Sequence, residues 1–202
     1  MIINRVSVGL VVASSVLVAL ATLRVIPLGL DLAFSAMSHQ IANAKTAFVL
    51  HISASSVALV FGAYQLCPSL RRRYRDVHRW VGRCYAIAVL VGGVSGCLLA
   101  FQIVNSVATL GFAILAILWL ATTAKAVQLA RVRRITDHRK WMICSFSLTF
   151  AAVTLRLQLL MSAVGLGMLY EQVYPFLSWS CWVPNILFAI WYSFSLSHHA
   201  RI

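Results

Sequence analysis

Six long apolar runs, at 6–23, 46–66, 80–103, 110–129, 141–161 and 174–196, restrict this chain more than any other feature. A helix crosses the hydrocarbon core of a bilayer in about 20 mostly apolar residues. Backbone groups in lipid have no water to bond, so a run of that length must satisfy its own N–H and C=O groups as a helix. Hydrophobic residues make up 61% of the 202 residues and charged residues 10%, against roughly a quarter charged in a soluble domain. The expected fold is therefore an all-α integral membrane protein, a single membrane domain over 1–202 with six transmembrane helices. The first run follows Arg5 as a signal peptide would, but it has the length of a full span and reads as a retained first helix.

Charge sets the orientation. The net charge of +13 is concentrated in two short connections: 67–79 and 130–140 hold ten of the 17 Lys and Arg. Cationic loops stay on the cytoplasmic side, which explains the basic balance without nucleic acid as a partner. Both basic turns, the N-terminus and the C-terminal stretch His198-His199-Ala200-Arg201 are then cytoplasmic, and both termini lie inside. The same turns offer a docking surface for anionic lipid or a partner subunit. The five cysteines show no CxxC spacing and read as small hydrophobes.

The two basic turns repeat each other. Arg71 to Trp80 and Arg131 to Trp141 align sixty positions apart, matching Arg71 with Arg131, Arg73 with Arg133, His78 with His138 and Arg79 with Arg139. The repeat has a parallel sense, helices two and three corresponding to four and five. It implies an axis along the membrane normal and a four-helix core of helices 2–5, with Gly92-x-x-x-Gly96 as a close-packing face. The connection at Pro27–Ala44 is long enough for a short amphipathic helix at the outer surface.

Polar residues inside spans are functional candidates by default. Helical spacing puts His51, Ser55, Ala58, Gly62 and Gln65 on one stripe. It puts His78, Gly82, Tyr85, Val89, Gly92 and Gly96 on a second, and His138, Met142, Ser145, Thr149, Ala152 and Arg156 on a third. Polar or small throughout, the stripes are expected to line a common cavity, with Ser55, Gln65, Tyr85, Ser145 and Thr149 as ligand contacts. His78 and His138 fall at the inner boundary. His51 lies near the outer edge, and Arg156 lies eighteen residues beyond His138, about 27 Å up the axis.

Arg156 is the sharpest single signal. Burying an arginine mid-span costs about 2.5–3.5 kcal/mol or more, and the four acids, Asp31, Asp76, Asp137 and Glu171, all lie in loops or at helix ends. Either an anionic ligand meets it or it snorkels to headgroups. His78 and His138 also have two readings. One is structural: capping a helix start or bonding a neighbouring carbonyl. The other is ligation of haem iron or another metal by neutral imidazoles, with Asp76 or Asp137 fixing the tautomer. His51 sits within a span and has no capping role to explain it.

His51, Gln65, the stretch His78-Arg79-Trp80-Val81-Gly82-Arg83-Cys84-Tyr85, the stretch Asp137-His138-Arg139-Lys140-Trp141-Met142 and Ser147–Arg156 together resemble a bacterial integral-membrane family, domain of unknown function 2306. The resemblance covers roughly 48–160. It implies a bacterial inner-membrane location and that these residues act together; it brings no reaction with it. In architecture alone the layout is similar to two-haem b-type cytochromes. Those usually present four ligand histidines, whereas here the outer layer has only His51 within a span; His39, in the outer loop, is the other histidine on that side.

The leading functional expectation is a membrane redox protein that binds haem b and exchanges electrons with a quinone or surface acceptor. His78 and His138 would ligate iron, Arg79, Arg139 or Arg83 would meet the propionates, and His51 with Arg156 would form the outer site. The alternatives are a binding or transport protein for a small anionic or lipidic ligand held by His51 and Arg156, and an accessory subunit of a larger membrane complex. No HExxH-type motif or carboxylate-rich cluster supports a metal-dependent enzyme, so enzymatic activity stays open.

Overall fold

A computed structural model describes residues 5–67, 73–165 and 167–199, with the side chains of Arg5 and 194–199 outside the description. Arg71, Arg72 and the side chains of the C-terminal His198-His199 pair, with Ala200 and Arg201, thus lie outside the described residues. Every regular element described is helical. The helices are α1 (Arg5–Thr22), α2 (Val25–Ala33), α3 (Ser38–Gln65), α4 (Arg75–Ala100), α5 (Ser106–Arg131), α6 (Ile135–Thr149), α7 (Ala151–Leu160), α8 (Tyr170–Ser180) and α9 (Val183–His199). A 3-10 turn (Ser35–Met37) precedes α3 and a π turn (Met161–Gly165) follows α7.

Among the described residues, five helical stretches are long and apolar enough to cross a membrane: Ser35–Gln65, Arg75–Ala100, Ser106–Arg131, Ile135–Gly165 and Tyr170–Ser193. The pair Val6–Thr22 and Val25–Ala33, bent by 80°, makes a sixth if it counts as one span. Large aliphatic side chains such as Ile87, Leu90 and Leu98 stand on the protein surface, as expected of helices whose outer face meets lipid.

Helix boundaries differ from the hydropathy reading in a consistent way. α3 begins at Ser38, because the polar stretch through His39, Asn43 and Lys45 is already helical, with a kink at Ala44 (φ −144°, ψ 46°). Much of the expected outer loop is helix as well. α2 breaks at Gly29 (φ 73°), and the Arg24 guanidinium closes its C-terminal end by donating to the Ala33 carbonyl at 2.8 and 3.2 Å. The basic turns shrink because α4 and α6 take in their acids. Asp76 and Asp137 sit in first helical turns, where a carboxylate complements the helix dipole.

The contacts divide the chain into two compact units, Met1–Gln102 and Ile103–Ile202. In the first, α3 and α4 form an antiparallel hairpin and α1 packs on α3. In the second, α5 and α6 form the hairpin, α8 packs on α5, and α9 packs on α6. Asn105 caps the start of α5, its side-chain oxygen accepting from the Ala108 N–H at 3.1 Å. The α8–α9 junction falls where Pro184 has no N–H to continue the ladder. The Ser180 carbonyl, four residues before Pro184, accepts instead from Gln158 Nε2 at 3.3 Å, and the adjacent Cys181 carbonyl accepts from Thr154 Oγ1 at 2.6 Å and Asn185 Nδ2 at 3.0 Å.

Candidate functional site

In the first unit, two polar contacts tie α3 to α4. His51 Nδ1 lies 2.8 Å from the Gly92 carbonyl, and Gln65 Nε2 donates to the His78 carbonyl at 2.9 Å. Fourteen residues separate His51 from Gln65 on α3, and fourteen separate His78 from Gly92 on α4. The two contacts are therefore rungs of one register, about 21 Å apart along the hairpin. A carbonyl can only accept, so His51 Nδ1 carries a proton and donates it to Gly92.

Gly96 makes the His51 seat possible. A Cβ there would fall 2.8 Å from both Nδ1 and Cε1 of the ring. The Gly92-x-x-x-Gly96 face is thus used for a close approach, and what approaches is an imidazole. Ser55 Oγ, one helical turn beyond His51, is buried with no hydrogen-bond partner among the described residues. Tyr85 is completely buried. His39, in the outer segment, bonds through Nδ1 to the Gln102 carbonyl at 3.0 Å and through Nε2 to Asn43 at 3.1 Å, so both its nitrogens serve the junction of α3 with the end of α4.

In the second unit the polar rungs are richer. His138 Nδ1 lies 2.8 Å from the Ala126 carbonyl of α5. Above it, Thr123 and Ser145 share a buried 2.6 Å hydroxyl contact, and Trp119 Nε1 donates to Thr149 Oγ1 at 2.9 Å. Arg156 is half-buried, and its guanidinium donates to the Ala152 carbonyl at 2.9 Å. Beside that helix lies a cluster the sequence reading did not single out: Gln158 and Ser180 exchange contacts at 3.2 and 3.3 Å, and Asn185 Nδ2 reaches Thr154 Oγ1 at 3.0 Å. Gln158 and Asn185 are polar residues within spans, so the rule that flags Arg156 also flags them.

The cations proposed for propionates are surface groups. Arg79 pairs with Asp76 at 3.2 Å, Arg83 lies over the Trp80 ring at 5.0 Å, and Arg139 is exposed. Within the first unit, Gln65 and His78 come together and His51 stands far from both. Within the second, Ser145 and Thr149 bond to Thr123 and Trp119 of α5. Among the described residues no three His, Cys, Asp or Glu side chains gather as a metal cluster.

Fold and polar rungs together define a multi-pass helical membrane protein. The family described as predicted membrane protein, domain of unknown function 2306, matches residues 48–192, and the chain belongs to it. That match extends past the 48–160 expected from the motifs and takes in α8 and most of α9. No curated protein and no solved structure matches the chain.

Proposed function

We propose that this protein binds haem b in the bacterial inner membrane and passes electrons to or from a quinone or a surface acceptor. The observation that carries the reading is the His138 imidazole, half-buried and tied through Nδ1 to the Ala126 carbonyl at 2.8 Å. Histidines that ligate metal ions almost always donate their other ring N–H to a carbonyl, carboxylate or water, which fixes the tautomer and raises the basicity of the ligating nitrogen. His138 has that arrangement, and His51 repeats it on Gly92. His78, the counterpart of His138 in the repeat, stays the proposed second ligand on sequence grounds.

The residues fit the group in a further respect. Arg139 follows His138 and is exposed, so it can meet a propionate without giving up an ion pair. Haem, when bound, would supply reversible one-electron chemistry at its iron. The protein's part is to hold the imidazole ring by the Ala126 bond, which leaves Nε2 as the nitrogen to offer a metal. The topology that goes with this reading has six spans, both termini cytoplasmic, and a four-helix core of parallel repeats.

A second reading rests on Arg156, a half-buried guanidinium on a helix whose neighbouring positions carry Thr154 and Gln158: there the protein would bind a small anionic or lipidic ligand. An absorption spectrum of the purified protein, made with ample haem and recorded before and after dithionite, separates the two. The haem reading expects a Soret band and sharp reduced α and β bands. A featureless visible spectrum sinks it and moves attention to Arg156.

A further inference from the structure

The turn between α5 and α6 stops α5 with an unusual residue. The Arg134 N–H donates to the Leu129 carbonyl at 2.9 Å and the Arg133 N–H to the Ala130 carbonyl at 3.1 Å, the paired bonds of a Schellman stop. Such a stop places one residue in the left-handed region, usually glycine. Here Arg133 occupies it with φ 58°, a conformation that costs a side-chain-bearing residue about 1–2 kcal/mol. No internal contact accounts for that choice. Arg133 is exposed, and its guanidinium has no hydrogen bond, ion pair or ring contact among the described residues.

The same holds for Arg131 and Arg139, both exposed. The ion pairs of this turn run through one acid: Asp137 takes Arg134 at 2.6 Å and Lys140 at 3.8 Å. The other basic turn is mixed: Arg75 is exposed and equally unengaged among the described residues, while its neighbours make contacts. Arg73 lies over Tyr74 at 5.6 Å, Arg83 over Trp80, and Arg79 pairs with Asp76. In the α5–α6 turn the unengaged guanidiniums alternate with exposed aliphatic side chains, Val132 and Ile135. Trp141 follows at the surface, a residue type that marks the headgroup level.

We propose that the α5–α6 turn binds the phosphate of an anionic phospholipid through Arg131, Arg133 and Arg139. The guanidinium fork matches phosphate oxygens, and Val132 and Ile135 suit the acyl boundary beneath a headgroup better than a hydrated protein or nucleic-acid surface. This stands apart from the haem reading and survives its failure.

Arg133→Gly provides the test, because glycine is the residue the stop favours and the variant should fold. The full chain in neutral detergent is titrated with phosphatidylglycerol, phosphatidylcholine or inorganic phosphate, reading lipid retention by native mass spectrometry and thermal midpoint. Phosphatidylglycerol should be retained and raise the midpoint, and the other two should not. Arg133→Gly should keep or raise the lipid-free midpoint while holding phosphatidylglycerol about fivefold more weakly, the worth of one cation near an anionic surface. Arg131→Gln with Arg139→Gln should abolish the preference, and Arg83→Gln should leave it intact. An equal response to phosphatidylcholine, an equal response to free phosphate, undiminished retention by Arg133→Gly, or no lipid response at all overturns the proposal; the last outcome would point to a protein partner at the turn.

Discussion

The two hairpins are each crossed by polar rungs and build them from different groups. In α3–α4 both rungs end on backbone carbonyls: His51 on Gly92 and Gln65 on the carbonyl of His78. In α5–α6 the turn-proximal rung is His138 on the Ala126 carbonyl, and the upper rungs join side chains, Thr123 with Ser145 and Trp119 with Thr149. The His138 ring bonds the Ala126 carbonyl, and the His78 backbone carbonyl accepts from Gln65. The matched upper positions diverge as well: Gly92 and Ala152 both lend a carbonyl, the first to His51 and the second to Arg156. Matched positions in the sequence thus carry unequal polar chemistry in the two hairpins.

The largest effect that bears on this comparison should come from Gly111→Ala. Sixty positions after His51, Gly111 sits where a Cβ would lie 2.9 Å from the Ser178 carbonyl and 2.6 Å from its Oγ. Because backbone cannot step aside cheaply, overpacking of about 3 kcal/mol is expected, read as a lower thermal midpoint in detergent. Gly96→Ala comes next, at about 1–2 kcal/mol, since it meets the His51 ring, a side chain with some room to turn; a cost equal to that of Gly111→Ala would show the ring to be as fixed as backbone. A Thr123→Val/Ser145→Ala double-mutant cycle should give a coupling of about 0.6 kcal/mol, the average for interhelical hydrogen bonds in a membrane protein. Zero coupling would show that the second hairpin does not depend on its hydroxyl rungs. Gln65→Leu should be the mildest: the His78 carbonyl keeps its helical partner, so the expected loss is about 0.5 kcal/mol, and a larger one would mean the two hairpins rely on their rungs alike.

The spans were legible because apolar length alone reports them. The start of α3 was not: helix formation by Ser38–Asn43 outside the apolar run adds no hydropathy signal, and its anchor is a tertiary bond from His39 to the Gln102 carbonyl. Ser145 and Thr149, expected to line a cavity, bond across to α5. Their partners were harder to see, because Trp119 and Thr123 lie in a run whose hydropathy hides two polar atoms. The cysteines show the limit of apolarity as a guide to burial: Cys181 is buried and Cys84 is exposed, since an apolar residue in a span satisfies itself as well against lipid as against protein. The histidines were found by residue type, but which nitrogen each commits, and to which carbonyl, depends on helix pairing across more than ten residues of chain.

Haem titration into the purified wild type and His138→Ala, followed by the Soret band and the dithionite-reduced α band, tests the central assignment most directly. The account predicts that wild type saturates with a sharp reduced α band and that His138→Ala, with no imidazole to offer, loses it. Identical titration curves and spectra for the two proteins would contradict the assignment.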